Sequence, residues 1–409
     1  MKNNRLRLLR PPTLCALCVA IFGFASASSA LAQAWQFEPV FKVGGESDDN
    51  ARLSTRTDEE VNLSGLLLDA RVNIKYASPT TSFSLQPRVV SRNYDAEAAF
   101  DSDDYFLRSD FRSRGNLGTV GFRVNFEQES VRRAERADSD LEIEDPDEIT
   151  DDDTGRVQIF GDRTQWRVSP YWDYQLSDVS TIGAAFNYVD AEYDDVFSGL
   201  LTDYSDARLS LKYGRTFSNV TDWAIWLTGR RYEAEDSPLE TDAYGVSAVI
   251  GRKLSEKTQV RVTIGFEDTD IPGSESDAEL VGGVTLTRTL QTIRLLAQYR
   301  RSVSAGGSGA GSVRDALNLN FRRRLNEKIS AGLGVRAYQT KGARGITSLV
   351  ERDYVQLRSS LVWYLTRSFV IEADYRYTVQ DRGENLGESA NSNQVNLWFV
   401  YQPKTVPKL

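Results

Sequence analysis

From Trp35 to Tyr401 the chain keeps one rhythm, with apolar and polar side chains alternating at every second residue. "QVRVTIGFED" (259–268) is typical. Val260, Val262, Ile264 and Phe266 fall on one side, while Gln259, Arg261, Thr263, Gly265 and Glu267 fall on the other. Alternation of period two marks a strand with one oily face and one wet face. A chain built this way must cover every oily face, either with a second layer of protein or with lipid.

Tight polar turns punctuate the alternating segments: "ASPTT" (77–81), "GNLGT" (115–119), "LSDVS" (176–180), "FSNVT" (217–221), "LSEKT" (254–258), "TLQT" (289–292), "LNEKI" (325–329) and "LTRSF" (365–369). Longer acidic or glycine-rich loops lie between them. One wider gap holds the acidic insertion "RAERADSDLEIEDPDEITDDDTG" (133–155). Eight turns join sixteen strands, and one more strand at each end makes about eighteen, with sixteen as the lower count. Short segments, alternating short and long connections and an even count describe an all-β fold. It is a transmembrane antiparallel up-and-down β-barrel with short periplasmic turns and long acidic extracellular loops. Only a closed sheet satisfies every backbone group in lipid. Stripes such as Leu66, Leu68, Ala70, Val72, Ile74 and Tyr76 would face hydrocarbon, and aromatics near the turns (Tyr76, Phe83, Trp223, Trp363, Phe369) would form an interfacial girdle. The competing architecture is a secreted propeller or solenoid. It needs oily faces that bury one another and a sequence motif in each repeat. Here the opposite faces are charged and the repeat is pattern alone.

The first residues follow another rule. A basic start (Lys2, Arg5, Arg7, Arg10) precedes an apolar run near 14–25 and then small residues up to Ala32. This reads as a cleaved signal peptide over 1–32, followed by the barrel over 33–402 and a short tail over 403–409. Both cysteines, Cys15 and Cys18, sit in the signal, the chain has no His, and Met1 is its only methionine. Zinc sites and the usual nucleophile–base pairs therefore lack their parts, so neither an enzyme nor a cofactor is expected. The net charge is −9; taking away the signal's four basic residues leaves −13. An acidic exported chain disfavours nucleic acid as a partner, and the export signal with the barrel pattern points to the outer membrane of a Gram-negative cell as its place.

Parity then assigns the inward side chains, and arginine dominates them. The lumen-facing set includes Arg71, Arg88, Arg112, Arg123, Arg163, Arg167, Arg208, Arg230, Arg261, Arg294, Arg300, Arg322, Arg336, Arg358 and Arg376. Inward acids are fewer, so the acidic excess belongs to the loops. Rings of fixed positive charge favour anions in a pore, and guanidinium suits the carboxylates of uronic acids. The structural alternative is arginine paired with Asp or Glu across strands to stiffen the wall. The insertion 133–155 is expected as a solvated surface loop, since charge runs usually stay in water, with a plug or gate as its alternative. "DTDIPGSESDAE" (268–279) places Asp268, Asp270 and Glu279 at calcium-loop positions, but Pro272 at position five and flanking strands speak against a site.

The mature start, "WQFEPVFKVGGESDDNARLS" (35–54), resembles the outer-membrane β-barrel family associated with exopolysaccharide and capsule gene clusters, sometimes called putative β-barrel porin 2. The likeness lies in Trp35, Phe37 and Pro39, and in Asp48-Asp49-Asn50. It implies a role near polysaccharide export, with outer-membrane lipid around the chain, an anionic polysaccharide as passenger and periplasmic export proteins as partners. The expectation is thus a porin-like channel that passes or assists an acidic saccharide. The alternative is a plugged structural barrel whose acidic loops bind a partner.

Overall fold

The structure, a computed structural model, describes residues 35–96, 100–136, 153–154, 157, 160–194, 201–235, 240–270, 277–304, 312–342, 351–382 and 389–403. The signal assigned to 1–32 and most of the tail lie outside these residues.

Eighteen strands form one sheet. They are β1 Trp35–Asp48, β2 Leu63–Ala77, β3 Thr81–Tyr94, β4 Ser102–Arg114, β5 Gly118–Ser130 and β6 Asp162–Ser177. There follow β7 Ser180–Asp194, β8 Tyr204–Ser218, β9 Thr221–Ala234, β10 Thr241–Ser255, β11 Thr258–Asp270 and β12 Asp277–Thr289. The last six are β13 Ile293–Ser304, β14 Ser312–Arg324, β15 Ile329–Gly342, β16 Arg352–Tyr364, β17 Phe369–Arg382 and β18 Ser389–Tyr401. Each strand pairs antiparallel with the next, and β1 pairs with β18, so the sheet closes on itself. All eight tight turns of the sequence fall between strands, and the count is eighteen rather than sixteen.

Register carries the oily stripe from strand to strand. Val246 stands opposite Phe266, Ala248 opposite Ile264 and Ile250 opposite Val262. Paired residues share a face, so one apolar strand commits its neighbours. That face points outward: Ile264 is 59% exposed, Leu66 56% and Leu397 56%. No second layer of protein covers it among the described residues. Hydrocarbon is the medium in which such a surface is stable, and closure leaves no strand edge to be satisfied there. At the turn end, aromatic side chains gather as a girdle should: Trp35 lies against Phe37, Tyr76 and Phe83, and Phe369 against Phe399 and Tyr401.

The seam between β1 and β18 is, with the β12–β13 pairing, one of the two shortest ladders of the ring. It runs only from Phe41 to Asp48, whereas β1 pairs with β2 along its whole length. Gly44 is required at this seam, because a Cβ there would lie 2.7 Å from the Trp398 ring.

The inside corrects one expectation. The insertion 133–155 does not stay in solvent where it is described: Ala134, Glu135, Arg136 and Asp153 are buried, as are Val131 and Arg132 just before it. Val131 packs with Leu201 and Tyr193, and Val157 with Leu53 and Ala390. The long-loop end of the lumen wall carries apolar patches such as Val189, Ala191, Tyr204 and Tyr232. Apolar surface on both partners and charges with built-in counterions hold these described ends inside, while the acidic run 137–152 lies outside the described residues.

Candidate functional site

Two features fill the lumen: a basic cavity in mid-barrel and a bar across the mouth at the long-loop end. The cavity has a volume of about 120 Å³, lined by β1–β3, β14 and β16–β18 and by Arg133 from the start of the insertion. Eight basic side chains face it, namely Lys42, Arg71, Arg88, Arg92, Arg133, Arg322, Arg358 and Arg376. Four carboxylates answer them: Glu46, Asp69, Glu372 and Asp374. Asp104, just behind the wall, also answers Arg92, so among the described residues basic side chains exceed acidic ones by three. Several of its basic side chains are paired with carboxylates of the wall. Arg88 grips Asp69 with two parallel hydrogen bonds of 3.1 and 3.0 Å, and Asp374 accepts from both Arg358 and Arg376 at 3.1 Å. Lys42 meets Glu372 at 2.9 Å, and Arg92 pairs with Asp104. These pairs stiffen the wall as cross-strand partners do, yet acid runs short of base.

The remaining sequence-assigned arginines are spread around the ring. Arg123 lies 3.5 Å from Asp110, Arg163 faces Glu127, Glu129 and Glu135, and Arg230 meets Asp206 at 2.5 Å. Arg208 pairs in register with Arg230, Arg294 with Arg322, and Arg300 with Gly283, while Arg167 stands opposite Asn125. Arg112 and Arg261 are exposed to the interior. So Arg71, Arg88, Arg322, Arg358 and Arg376 are brought together in the cavity, and Arg336 joins the bar described next.

The bar consists of hydrogen bonds running from one wall to the opposite one. On β7, the Tyr193 hydroxyl donates to Glu135 Oε1 at 2.8 Å. Glu135 Oε2 accepts from the Thr154 backbone N–H at 2.6 Å and from its Oγ1 at 2.5 Å, tying the two arms of the insertion together. The adjacent Asp153 reaches the far wall. Its Oδ1 accepts from Arg314 Nη1 at 2.7 Å, and its Oδ2 from Arg352 Nη1 and the Tyr338 hydroxyl, each at 2.7 Å. Arg336 Nη2 stands 4.0 Å from Oδ1. Strand β7 and strands β14–β16 lie on opposite sides of the ring, so the insertion crosses the lumen. A second tether joins Arg136 Nη1 to Asp48 Oδ2 at 2.7 Å, with Ser392 Oγ donating to Oδ1 of the same carboxylate at 2.7 Å.

Burial alone would push the Asp153 carboxyl up. Arg314, Arg352 and Arg336, helped by the Tyr338 hydrogen bond, outweigh it and hold the group well below the ordinary aspartate range. A depressed folded-state value adds stability that is complete above the unfolded value of about 4 and is lost as pH falls toward the folded one. The stability gap between wild type and Asp153→Asn, read from urea unfolding in vesicles, should therefore stay flat from about pH 7 to about pH 5 and narrow only below about pH 4. A gap that closes already by pH 5 would contradict this electrostatic account.

Sequence reading missed Arg132, Arg133, Arg136, Arg314 and Arg352. The last two obey the same parity as Arg336 but sit at strand ends beside glycine-rich or acidic loops, where a strand boundary is hard to place. The insertion did carry a signal, since "VRRAER" (131–136) opens it with three arginines and two apolar residues before the acidic run. The calcium-like stretch does not form a loop over its charged positions. Asp268 and Asp270 lie on β11, in step with the outward Val262, Ile264 and Phe266, while Glu279 on β12 stands opposite Glu267 and meets Arg301 at 3.3 Å. Extended antiparallel strands keep these carboxylates from converging, and no cluster of three metal-ligating side chains occurs among the described residues.

No family model matches the chain, and no curated protein does. Several solved structures share its general course at low identity. A BenF-like porin from Pseudomonas fluorescens Pf-5 is 8% identical, with 90% of this chain and 99% of that one covered at a TM-score of 0.49. The outer membrane channel DcaP of Acinetobacter baumannii is 12% identical, with 93% and 100% covered at 0.46. Pseudomonas aeruginosa OpdQ is 8% identical, with 91% and 99% covered at 0.45. Likeness at this level says nothing of what this chain passes or binds, so its functional reading stands on its own barrel, cavity and bar.

Proposed function

We propose that the chain is a porin-like channel of the Gram-negative outer membrane that favours anions, with acidic saccharides as its passengers. The observation that carries the reading is the excess of basic over acidic side chains at the cavity, three among the described residues once Asp104 is set against Arg92, inside a ring whose outer face is apolar. Fixed positive charge lowers the barrier for an anion and raises it for a cation. The saccharide part rests on the resemblance carried by Trp35, Phe37, Pro39 and Asp48-Asp49-Asn50. The bar across the mouth favours short acidic units over an extended polymer. Periplasmic export proteins belong to the polymer version of the reading, and their co-purification with the barrel would speak for that version.

Reversal potentials in planar bilayers under a salt gradient test this. Wild type should prefer anions, and Arg71→Glu combined with Arg322→Glu, on opposite sides of the cavity, should bring the permeability ratio toward one or below. Cation preference in wild type would end the anionic reading. The bar also supports a second one, a plugged barrel whose rim acids (Asp190, Glu192, Asp203, Glu233, Glu235 and Glu240) dock a partner. Absence of any current from correctly folded protein would favour it.

A further inference from the structure

We infer that Arg314, Arg336 and Arg352, together with Tyr338, form a receptor for the carboxylate group of an acidic solute, and that Asp153 is its resident occupant. The inference deepens the anion-channel reading and rests on it for the identity of the solute, though not for binding itself.

Three observations carry it. First, the cradle is built by the wall. Its arginines come from the adjacent strands β14, β15 and β16, Tyr338 stacks on Tyr354 at 4.8 Å, and the Arg314 and Arg352 guanidiniums lie 4.4 and 5.0 Å from the centre of the Tyr338 ring. Ring stacking holds guanidinium planes in place without help from a carboxylate. Second, the carboxylate comes from elsewhere. Other lumen arginines meet acids of the wall itself, as Arg88 meets Asp69 and Arg358 meets Asp374. The wall acid nearest in sequence to Arg314 is Asp315, and it is engaged by Arg301 and Tyr299. Third, the contacts read a carboxylate oxygen by oxygen, with Arg314 on one and Arg352 and Tyr338 on the other, all at 2.7 Å, while the second Arg314 nitrogen donates to the Asp153 backbone carbonyl at 2.7 Å. Among the described residues three cations surround one anion, and exchanging Asp153 for a solute carboxylate leaves that count unchanged. Charge-assisted bonds of this length are the strong kind.

Glucuronate, a sugar bearing one carboxylate, is the probe, with glucose as the neutral control. Calorimetry on the full-length protein in detergent should show Asp153→Ala binding glucuronate about tenfold or more tighter than wild type, because the occupant no longer competes. Glucose should not bind either protein, and adding Arg352→Gln to Asp153→Ala should abolish the gain. Asp153→Asn, nearly isosteric, repeats the comparison if the alanine variant fails to fold. Equal affinities in wild type and in a folded Asp153 variant would overturn the inference and leave the cradle a latch only. The two readings separate cleanly. Tightened binding without conductance sinks the channel alone, whereas anion current without tightened binding sinks the receptor alone.

Discussion

In Glu135→Ala, single-channel conductance is expected to rise. Glu135 is the middle of the bar: it accepts from Tyr193 on one side and twice from Thr154 on the other, and it is fully buried. Removing one partner from a buried, charged network costs about 3–5 kcal/mol, since the groups left behind lose both their hydrogen bonds and access to water. At about 1.4 kcal/mol per tenfold, that shifts the balance between crossed and uncrossed lumen by about a hundredfold or more. The barrel itself should survive, because its strand ladders do not pass through Glu135. Unchanged conductance, with the variant folded and inserted, would mean that the bar does not limit the passage.

The second large effect concerns the outer surface. Ile264→Arg, at the middle of β11, is expected to destabilise the barrel by about 2–4 kcal/mol in lipid vesicles, the cost of an arginine against hydrocarbon near mid-depth. Thr263→Arg, one residue away on the lumen face, should cost far less, because its guanidinium enters water. The pair tests the orientation of the whole sheet, since each strand is locked to the next by register. Equal costs at the two positions, or a larger one at Thr263, would contradict an outer face bathed in lipid.

The barrel was legible because its physics is local. A strand's faces alternate within a few residues, and a tight turn such as "LSEKT" fixes where two strands meet, so turns and stripes can be read without knowing what lies across the ring. The lumen arginines followed from the same parity. The bar did not, because its partners meet only after closure: Asp153 and Arg352 are 199 residues apart in sequence. The ends of the insertion are drawn in by cationic and apolar surface inside the barrel, which no single segment displays. The residues that carry the family resemblance, in 35–54, have structural roles as well. Trp35 anchors the aromatic girdle, Asp48 receives Arg136, and Asn50 donates to the Asn391 carbonyl across the seam at 2.9 Å. Their conformation explains itself by packing, without reference to a polysaccharide.

The short seam has a consequence for biogenesis. Asp48 and Asn50 meet Ser392 and Asn391 only when the first and last strands join, and Arg136, anchored on Asp48, gains its second partner Ser392 only then. During assembly, the inner loop would thus be fully fastened after the hoop is shut, and its resistance to protease would time the final stitch.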